Sequence, residues 1–176
     1  MRWNHILLAS LLIGAWSGTV QADSNRHDVY YMVVMDPTFT ALEQGDIGDA
    51  LEHWIVGSVG TSRPIHFQVS VAGTANGECD RFRRNNLICL HRGSVEGMPD
   101  DVVGWTITQP DEKSSDIYVK TYMTPPFLES EVWQHEIGHA LGLQHTGRNT
   151  LMCRTTACSA MNVTPADLQQ WEHLAQ

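Results

Sequence analysis

The stretch HEIGHALGLQH, His135 to His145, combines three histidines with one glutamate and two glycines. On a helix, residues four apart lie on the same face, so His135 and His139 can bring two ring nitrogens to a point ~2.0–2.1 Å from each, the length of a zinc–histidine bond. His145 would point away from both if the helix continued. Gly142 resolves this, because glycine accepts the left-handed conformation that ends helices and turns the chain. The spacing therefore predicts a metal site formed by His135, His139 and His145.

The ligand number of this predicted site indicates catalysis. Three neutral histidines and one vacant position are the arrangement of catalytic zinc, whereas structural zinc is usually closed by four protein ligands. Glu136 sits one residue round from the histidine face, where it can hydrogen-bond a zinc-bound water without ligating the metal. Zinc lowers the pKa of such a water toward ~7 and polarises a carbonyl, a combination that hydrolyses amides. The sequence thus predicts one catalytic Zn²⁺ and Glu136 as general base.

The pattern H-E-x-x-H-x-x-G-x-x-H followed by a methionine resembles the signature of the metzincin zinc metallopeptidases. Met152, seven residues after His145, looks like the structural methionine of the Met-turn, a tight turn beneath the zinc. Within the metzincins the chain is most similar to the matrixins, because Thr146 resembles the serine usual there and residues 163–174 resemble their closing helix. The similarity covers roughly residues 132–174, and upstream only the order of elements agrees.

This resemblance implies a fold and an activity. The fold is an α+β metzincin-like catalytic domain with a twisted, mostly parallel sheet, an antiparallel edge strand, two main helices and a C-terminal helix. The activity is a zinc metalloendopeptidase that binds a protein or peptide substrate extended along an edge strand. Two departures stand out: Arg154 occupies the position of the matrixin proline or the astacin tyrosine, and the long pro-domain with a cysteine switch is missing.

Residue patterns predict the elements of the remaining chain. Residues 46–56 have helical spacing behind an acidic first turn. Residues 116–123 alternate apolar and polar side chains and precede Pro125-Pro126, so they are predicted as the edge strand that would pair with the substrate. The other predicted elements are strands at 29–34, 65–71, 86–91 and 103–108, and helices at 129–143 and 165–174, the last with Thr164 as N-cap and Asp167 in its first turn.

Residues 1–22 have the character of a secretory signal peptide. Arg2 precedes an apolar run at 6–15, and small residues lead to a cleavage site after Ala22. Cleavage would leave residues 23–176 as one catalytic domain, secreted or periplasmic. The alternative, a short N-terminal anchor, is less favoured because the apolar run is too short to span a bilayer. A formal net charge of −9 disfavours nucleic acid and anionic membranes as partners and leaves the oligomeric state open.

The four cysteines favour disulfide bonds, because an even number of cysteines in an exported protein is usually paired. Three connectivities are possible. The local pairs Cys79–Cys89 and Cys153–Cys158 are preferred because each brackets a turn-like stretch. A structural zinc site is the alternative, but it needs spacings such as C-x2-C that are absent from the sequence.

Other polar residues give weaker indications of further metal sites. The acidic loops at 100–101 and 111–112, together with Asp116, could hold calcium, but a solvated acidic loop is the favoured interpretation. His66 and His91 are isolated in the sequence, which favours surface or hydrogen-bonded histidines over ligands of a second zinc and leaves that second zinc open.

A second functional interpretation of the histidine motif is a catalytically silent zinc-containing binding protein of the same fold. Such a protein has no need of a base beside the open metal position. Because Glu136 is intact, the sequence favours the active endopeptidase.

Overall fold

The computed structural model describes residues 27–71, 86–109, 114–120, 129–154 and 162–174. Within these ranges the chain forms one five-stranded sheet and three helices. The predicted signal peptide lies outside the described residues, and no helix within them is long and apolar enough to cross a bilayer. The strands are β1 (Val29–Met35), β2 (Ile65–Val71), β3 (Leu87–Arg92), β4 (Gly104–Gln109) and β5 (Ser114–Val119), and the helices are α1 (Ala41–Ser58), α2 (Glu129–Ala140) and α3 (Pro165–His173).

The sheet has the strand order β2-β1-β3-β5-β4. Strands β2, β1, β3 and β5 run parallel to one another, and β4 pairs antiparallel with β5 at one edge. Strand β1 is almost continuously apolar because parallel strands are covered on both faces, and Val33 and Val34 are accordingly both buried. The predicted α+β class, with a mostly parallel sheet and an antiparallel edge strand, is confirmed.

The main core lies between one face of the sheet and helices α1 and α2. Ile88 and Leu90, alternate residues of β3, face this core together with Trp54 of α1 and Trp133 of α2. The indole Nε1 of Trp54 donates a hydrogen bond to the backbone oxygen of Gln134 at 2.9 Å. This buried bond joins α1 to α2, so the histidine-bearing helix is held against the largest apolar cluster of the described residues.

The strand predicted at the sheet edge is an interior strand. The prediction covered residues 116–123, whereas β5 covers Ser114–Val119 and lies between β3 and β4. Residues 121–123 and the two prolines that follow lie outside the described ranges. Asp116, the first residue of the predicted strand, has a partner on a neighbouring strand, because its Oδ1 lies 2.9 Å from His91 Nε2. The preceding residue also has one, since Ser115 Oγ lies 3.2 Å from Thr108 Oγ1. Alternation indicated exposure, but cross-strand hydrogen bonds satisfy these groups inside the fold.

Helix α1 begins earlier than predicted, at Ala41 instead of residue 46. Thr40 is its N-cap: the Thr40 hydroxyl accepts a hydrogen bond from Glu43 N at 3.3 Å, and the Glu43 carboxylate accepts one from Thr40 N at 2.7 Å. These two bonds form a capping box, which satisfies backbone donors at the helix start. The T-x-x-E pattern at residues 40–43 marks this start better than the apolar periodicity, which begins only at Ile47.

The other elements agree closely with the sequence. The strands predicted at 29–34, 65–71, 86–91 and 103–108 match β1 to β4 within one residue at each end. Helix α3 begins as predicted, with Thr164 as N-cap and Asp167 completing a second capping box. Helix α2 ends at Ala140, earlier than the predicted residue 143, because the chain turns at Gly142.

Candidate metal centre

Helix α2 places two of the predicted ligands, His135 and His139, on one face with their ring centroids 4.8 Å apart. Each ring is fixed by a backbone carbonyl. His135 Nδ1 donates to Leu151 O at 2.8 Å, and His139 Nδ1 donates to Leu143 O at 2.9 Å. A carbonyl only accepts, so Nδ1 carries the proton in both rings and Nε2 keeps the lone pair that a metal requires.

The end of α2 turns the chain back toward these two rings. Gly142 N donates to His139 O, and Leu143 N donates to Gly138 O, both at 2.9 Å. These are the two hydrogen bonds of a Schellman motif, and Gly142, with φ of +97°, occupies its left-handed position. The helix therefore ends at Ala140, one residue after His139, and the chain turns at Gly142.

The third histidine, His145, lies after this turn and beside the other two. Its Nε2 is 3.2 Å from His139 Nε2, and the ligand atoms of the three histidines all lie within 4.8 Å of one another. Two nitrogens bound at ~2.0–2.1 Å to one tetrahedral ion are about 3.3–3.4 Å apart, so the donor set and the observed separation suit a shared zinc ion. In the part of the chain that the structure describes, no other group of three His, Cys, Asp or Glu side chains could hold a metal.

Burial keeps the three imidazoles neutral. It lowers the pKa of His139 to about 4 and also lowers the pKa of His135. For the more exposed His145, burial is again the larger cause of a lowered pKa, and the nearby Arg154 guanidinium lowers it further. All three rings are therefore neutral at pH 7, which is the form that ligates metals.

Met152 is fully buried and packs against Gly138, the α2 residue that precedes His139. A Cβ on Gly138 would overlap Met152 Sδ and would lie 3.1 Å from Trp54 Cζ2, so only glycine permits this approach. The methionine segment is also joined to the histidine loop, since Thr146 N donates to Met152 O at 2.7 Å. The predicted Met-turn residue thus lies directly against the histidine-bearing helix.

A buried carboxylate from α3, Asp167, fixes the segment that carries Met152. Asp167 accepts hydrogen bonds from Leu151 N at 3.0 Å and Met152 N at 3.3 Å, and also from Thr164 N at 2.9 Å and Thr164 Oγ1 at 2.6 Å. Because Leu151 O accepts from His135 Nδ1, Asp167 supports this histidine through one peptide unit. The sequence marks Asp167 only as a helix-start residue, since its partners at 151 and 152 are distant along the chain.

The side chain of Glu136 extends from α2 toward the edge strand β4. Its Oε2 accepts a hydrogen bond from Thr106 Oγ1 at 2.6 Å, and its Oε1 lies against Gly104. Burial raises the pKa of Glu136 to about 7, against a lowering effect of the Thr106 hydrogen bond. A carboxyl with a pKa near neutrality can both take up and release a proton at pH 7. Sequence patterns single out Glu136, but nothing in them indicates Thr106 or Gly104, which the strand order brings to this helix.

The other sequence-predicted polar sites lie elsewhere. His91 is paired with Asp116 as described above, and His66 Nε2 lies 3.3 Å from Asp28 Oδ2 near the surface. Each of these two histidines therefore lies within 3.3 Å of a carboxylate oxygen. Asp116, one of the residues that could hold calcium, is the partner of His91. Residues 111–112, which belong to the same possible calcium site, lie outside the described ranges.

Two of the four cysteines, Cys89 and Cys153, lie in the described residues, and neither is a free thiol. Their predicted partners, Cys79 and Cys158, lie outside the described ranges. The pairings Cys79–Cys89 and Cys153–Cys158 therefore stay predictions.

The fold of this chain is similar to that of a protein of known structure. No protein-family model and no curated protein matches the chain. Among solved structures, metalloproteinase-II from Bacteroides fragilis matches with a TM-score of 0.54 at 13% sequence identity. The match covers 84% of this chain and 52% of that one, so this chain spans about half the length of that protein. The chain thus has a metalloproteinase-like fold with a histidine group that could bind a metal.

Proposed function

We propose that the protein is a zinc-dependent endopeptidase. The observation that carries the proposal is the convergence of three neutral imidazoles, His135, His139 and His145, together with the buried side chain of Glu136, the residue that follows His135. Three histidine ligands are typical of catalytic zinc, which keeps a further position open. When bound, zinc would polarise the scissile carbonyl and lower the pKa of the attacking water toward ~7. The metalloproteinase-like fold supports this assignment.

The side chains of the centre have separate tasks in this proposal. The Nε2 atoms of the three histidines would hold the ion, and the carbonyls of Leu151 and Leu143 keep two of the rings in the tautomer that this requires. Glu136 accepts a proton from the attacking water and then donates it to the nitrogen of the leaving amine. Because burial raises the pKa of Glu136 to about 7, neither transfer is strongly unfavourable at neutral pH.

The proposed substrate is an extended peptide that pairs with β4. An edge strand presents backbone N–H and C=O groups to which a peptide can add as a further strand. Strand β4 also contacts the base directly, because Thr106 donates to Glu136. A peptide bound along β4 would therefore pass close to Glu136. The strand proposed to pair with the substrate is therefore β4, Gly104–Gln109, in place of residues 116–123, for which the sequence predicted that role.

Finer features of the sequence resemblance belong to the same proposal. The chain would be a matrixin-like metzincin with Met152 in its Met-turn. Residues 1–22 would direct export, leaving residues 23–176 as a single catalytic domain outside the cytoplasm. N-terminal sequencing of the exported protein tests the cleavage after Ala22, and peptide mapping without reduction tests the two disulfide pairs.

Replacement of the base, Glu136→Gln, tests the function. The variant should keep its bound zinc, because Glu136 is not among the predicted ligands, while cleavage should fall on the order of 10²–10⁴-fold through loss of the proton carrier. Zinc content is measured by atomic emission, and cleavage by digestion of casein and of a peptide library. Chelation with 1,10-phenanthroline should abolish wild-type cleavage, and added zinc should restore it.

The matched control is Glu52→Gln, at an exposed position on α1, which should cleave at the wild-type rate. Wild-type turnover in the Glu136→Gln variant would contradict the assignment of the base. A zinc-loaded wild-type protein that cleaves neither casein nor the library would instead support the catalytically silent zinc-containing binding protein.

A further inference from the structure

We infer that Thr106 is a positioning residue for Glu136, and that its hydroxyl holds the carboxyl of the base against the edge strand. The inference rests on the proposed function, because the position of a base matters only in a catalytic centre. It assigns a task to β4 beyond the pairing of its backbone with a peptide.

The contact between the two side chains is short and directional. Thr106 Oγ1 lies 2.6 Å from Glu136 Oε2 and 3.0 Å from the backbone oxygen of Glu136. A hydroxyl has one proton and can donate to only one of these acceptors at a time. The shorter distance is the one to the carboxyl oxygen, as expected for a hydrogen bond to an ionised group.

Gly104 completes the surroundings of the carboxyl. Gly104 and Thr106 are two residues apart on β4, so they face the same side of the sheet. A Cβ on Gly104 would lie 2.6 Å from Glu136 Oε1, 2.7 Å from its Cγ and 2.8 Å from its Cδ. Gly104 therefore leaves the space that the Glu136 carboxyl occupies. Thr106 supplies the hydrogen-bond donor that fixes the orientation of this carboxyl.

The two acceptors let the Thr106 hydroxyl keep a hydrogen bond in both protonation states of the base. While Glu136 is ionised, the hydroxyl donates to Oε2. After Glu136 has taken up a proton, the hydroxyl can turn and donate to the Glu136 backbone oxygen, and its own oxygen can accept from the carboxyl. The hydroxyl proton of Thr106 stays on Thr106 throughout, so this residue orients the proton carrier and relays no proton.

The expected effect falls on kcat. A displaced base slows proton transfer but leaves the pairing of the substrate with the β4 backbone intact, and such a loss lowers kcat without raising KM. Thr106→Val keeps the shape of the side chain and removes the hydroxyl. We expect its kcat to fall roughly 10- to 100-fold, the range for a misplaced catalytic group, with KM within about twofold of wild type. Thr106→Ser restores the hydroxyl and should recover most of the activity.

The control is Thr61→Val, which removes a hydroxyl that donates to Ser58 O at 2.7 Å, away from the metal centre. Its kcat should equal that of wild type. A second readout needs no turnover: in protein labelled with ¹³C-glutamate, the carboxyl signal that disappears in Glu136→Gln belongs to Glu136. This signal should shift in Thr106→Val, return in Thr106→Ser and stay unchanged in Thr61→Val, while zinc affinity, measured by chelator competition, stays at the wild-type value.

Wild-type kcat in Thr106→Val, or an unmoved Glu136 signal, overturns the inference and leaves the proposed function standing. A Thr106→Val variant that loses zinc affinity together with kcat also overturns it, because the hydroxyl would then support the fold of the centre and not the base. A zinc-loaded wild-type protein without activity is a distinct result, which overturns both the proposed function and the task assigned here to Thr106.

Discussion

The two halves of the candidate metal centre are built in different ways. The helix half consists of residues 135–139 of α2. Its geometry follows from the α-helical period, which brings His135 and His139 to one face. The loop half, residues 141–154, has no repeating backbone pattern. It is shaped by the positive φ of Gly142 and by hydrogen bonds to Asp167 of a third helix.

The burial of the two halves differs as well. Glu136 and the α2 residues around it are buried under the sheet and α1, whereas residues 144–149, which include His145, are exposed. A segment with few buried apolar contacts opens more easily than a packed helix. His145, one of the proposed ligands, therefore depends on contacts outside its own segment, and changes to those contacts should affect the loop half first.

The largest effect is expected from Asp167→Ala, which removes the support of the loop half. The backbone donors of Leu151 and Met152 and the cap of α3 would lose their acceptor, and a buried donor without a partner costs about 1–3 kcal/mol. We expect the free energy of unfolding to fall by about 2–4 kcal/mol and the zinc affinity to fall with it. Urea unfolding and chelator competition measure the two quantities.

Thr40→Ala is the control for Asp167→Ala, because it breaks the other capping box, at the start of α1. It should cost about 1 kcal/mol of stability and leave zinc affinity unchanged. If Asp167→Ala kept the wild-type zinc affinity, the loop half would not depend on α3.

A smaller effect is expected from Gly142→Ala. Alanine in the left-handed region costs about 1–2 kcal/mol, and relief of this strain would move His145 away from the other two rings. Unfolding in urea should show the lost stability, and chelator competition should show weaker zinc binding.

Gly147→Ala is the matched change in the same loop, at a position without positive φ and with no atom within 4 Å of the added Cβ. It should alter stability by less than about 0.5 kcal/mol. Equal effects of the two substitutions would show that the turn at Gly142 is not what directs the loop.

The smallest effect is expected where the two halves touch, at Gly138. Alanine there gains about 1 kcal/mol of helix propensity but overpacks Met152, at a cost of about 1–3 kcal/mol, so a net loss near 1 kcal/mol is expected. Gly48→Ala, at an exposed position on α1 with no atom within 4 Å of the added Cβ, should instead raise stability by about 0.5–1 kcal/mol. Thermal unfolding compares the two variants, and a stabilised Gly138→Ala would show that α2 and Met152 are less closely packed than described.

Features encoded over a few neighbouring residues were predictable. The spacing of His135 and His139, the capping signals at residues 164–167 and the apolar run of β1 each act through local backbone geometry, and the structure has these elements where the sequence predicts them. The start of α1 was predictable in the same way from the capping box at 40–43. The apolar face predicts a later start, because its first residue, Ile47, lies well inside the helix that begins at Ala41.

Features that depend on how distant segments meet were not predictable. The sequence of β5 could not show that β4 would cover its edge, because strand order depends on how the connections pack around the core. The hydrogen bonds of Thr106 to Glu136 and of Asp167 to the Met152 segment join residues 30 and 15 positions apart. Helical spacing and a helix-ending glycine are local properties, so the side chains that could form a metal centre can be predicted from the sequence. The residues that surround and support that centre cannot be predicted in this way, because burial and long-range hydrogen bonds exist only once the sheet and helices have packed together.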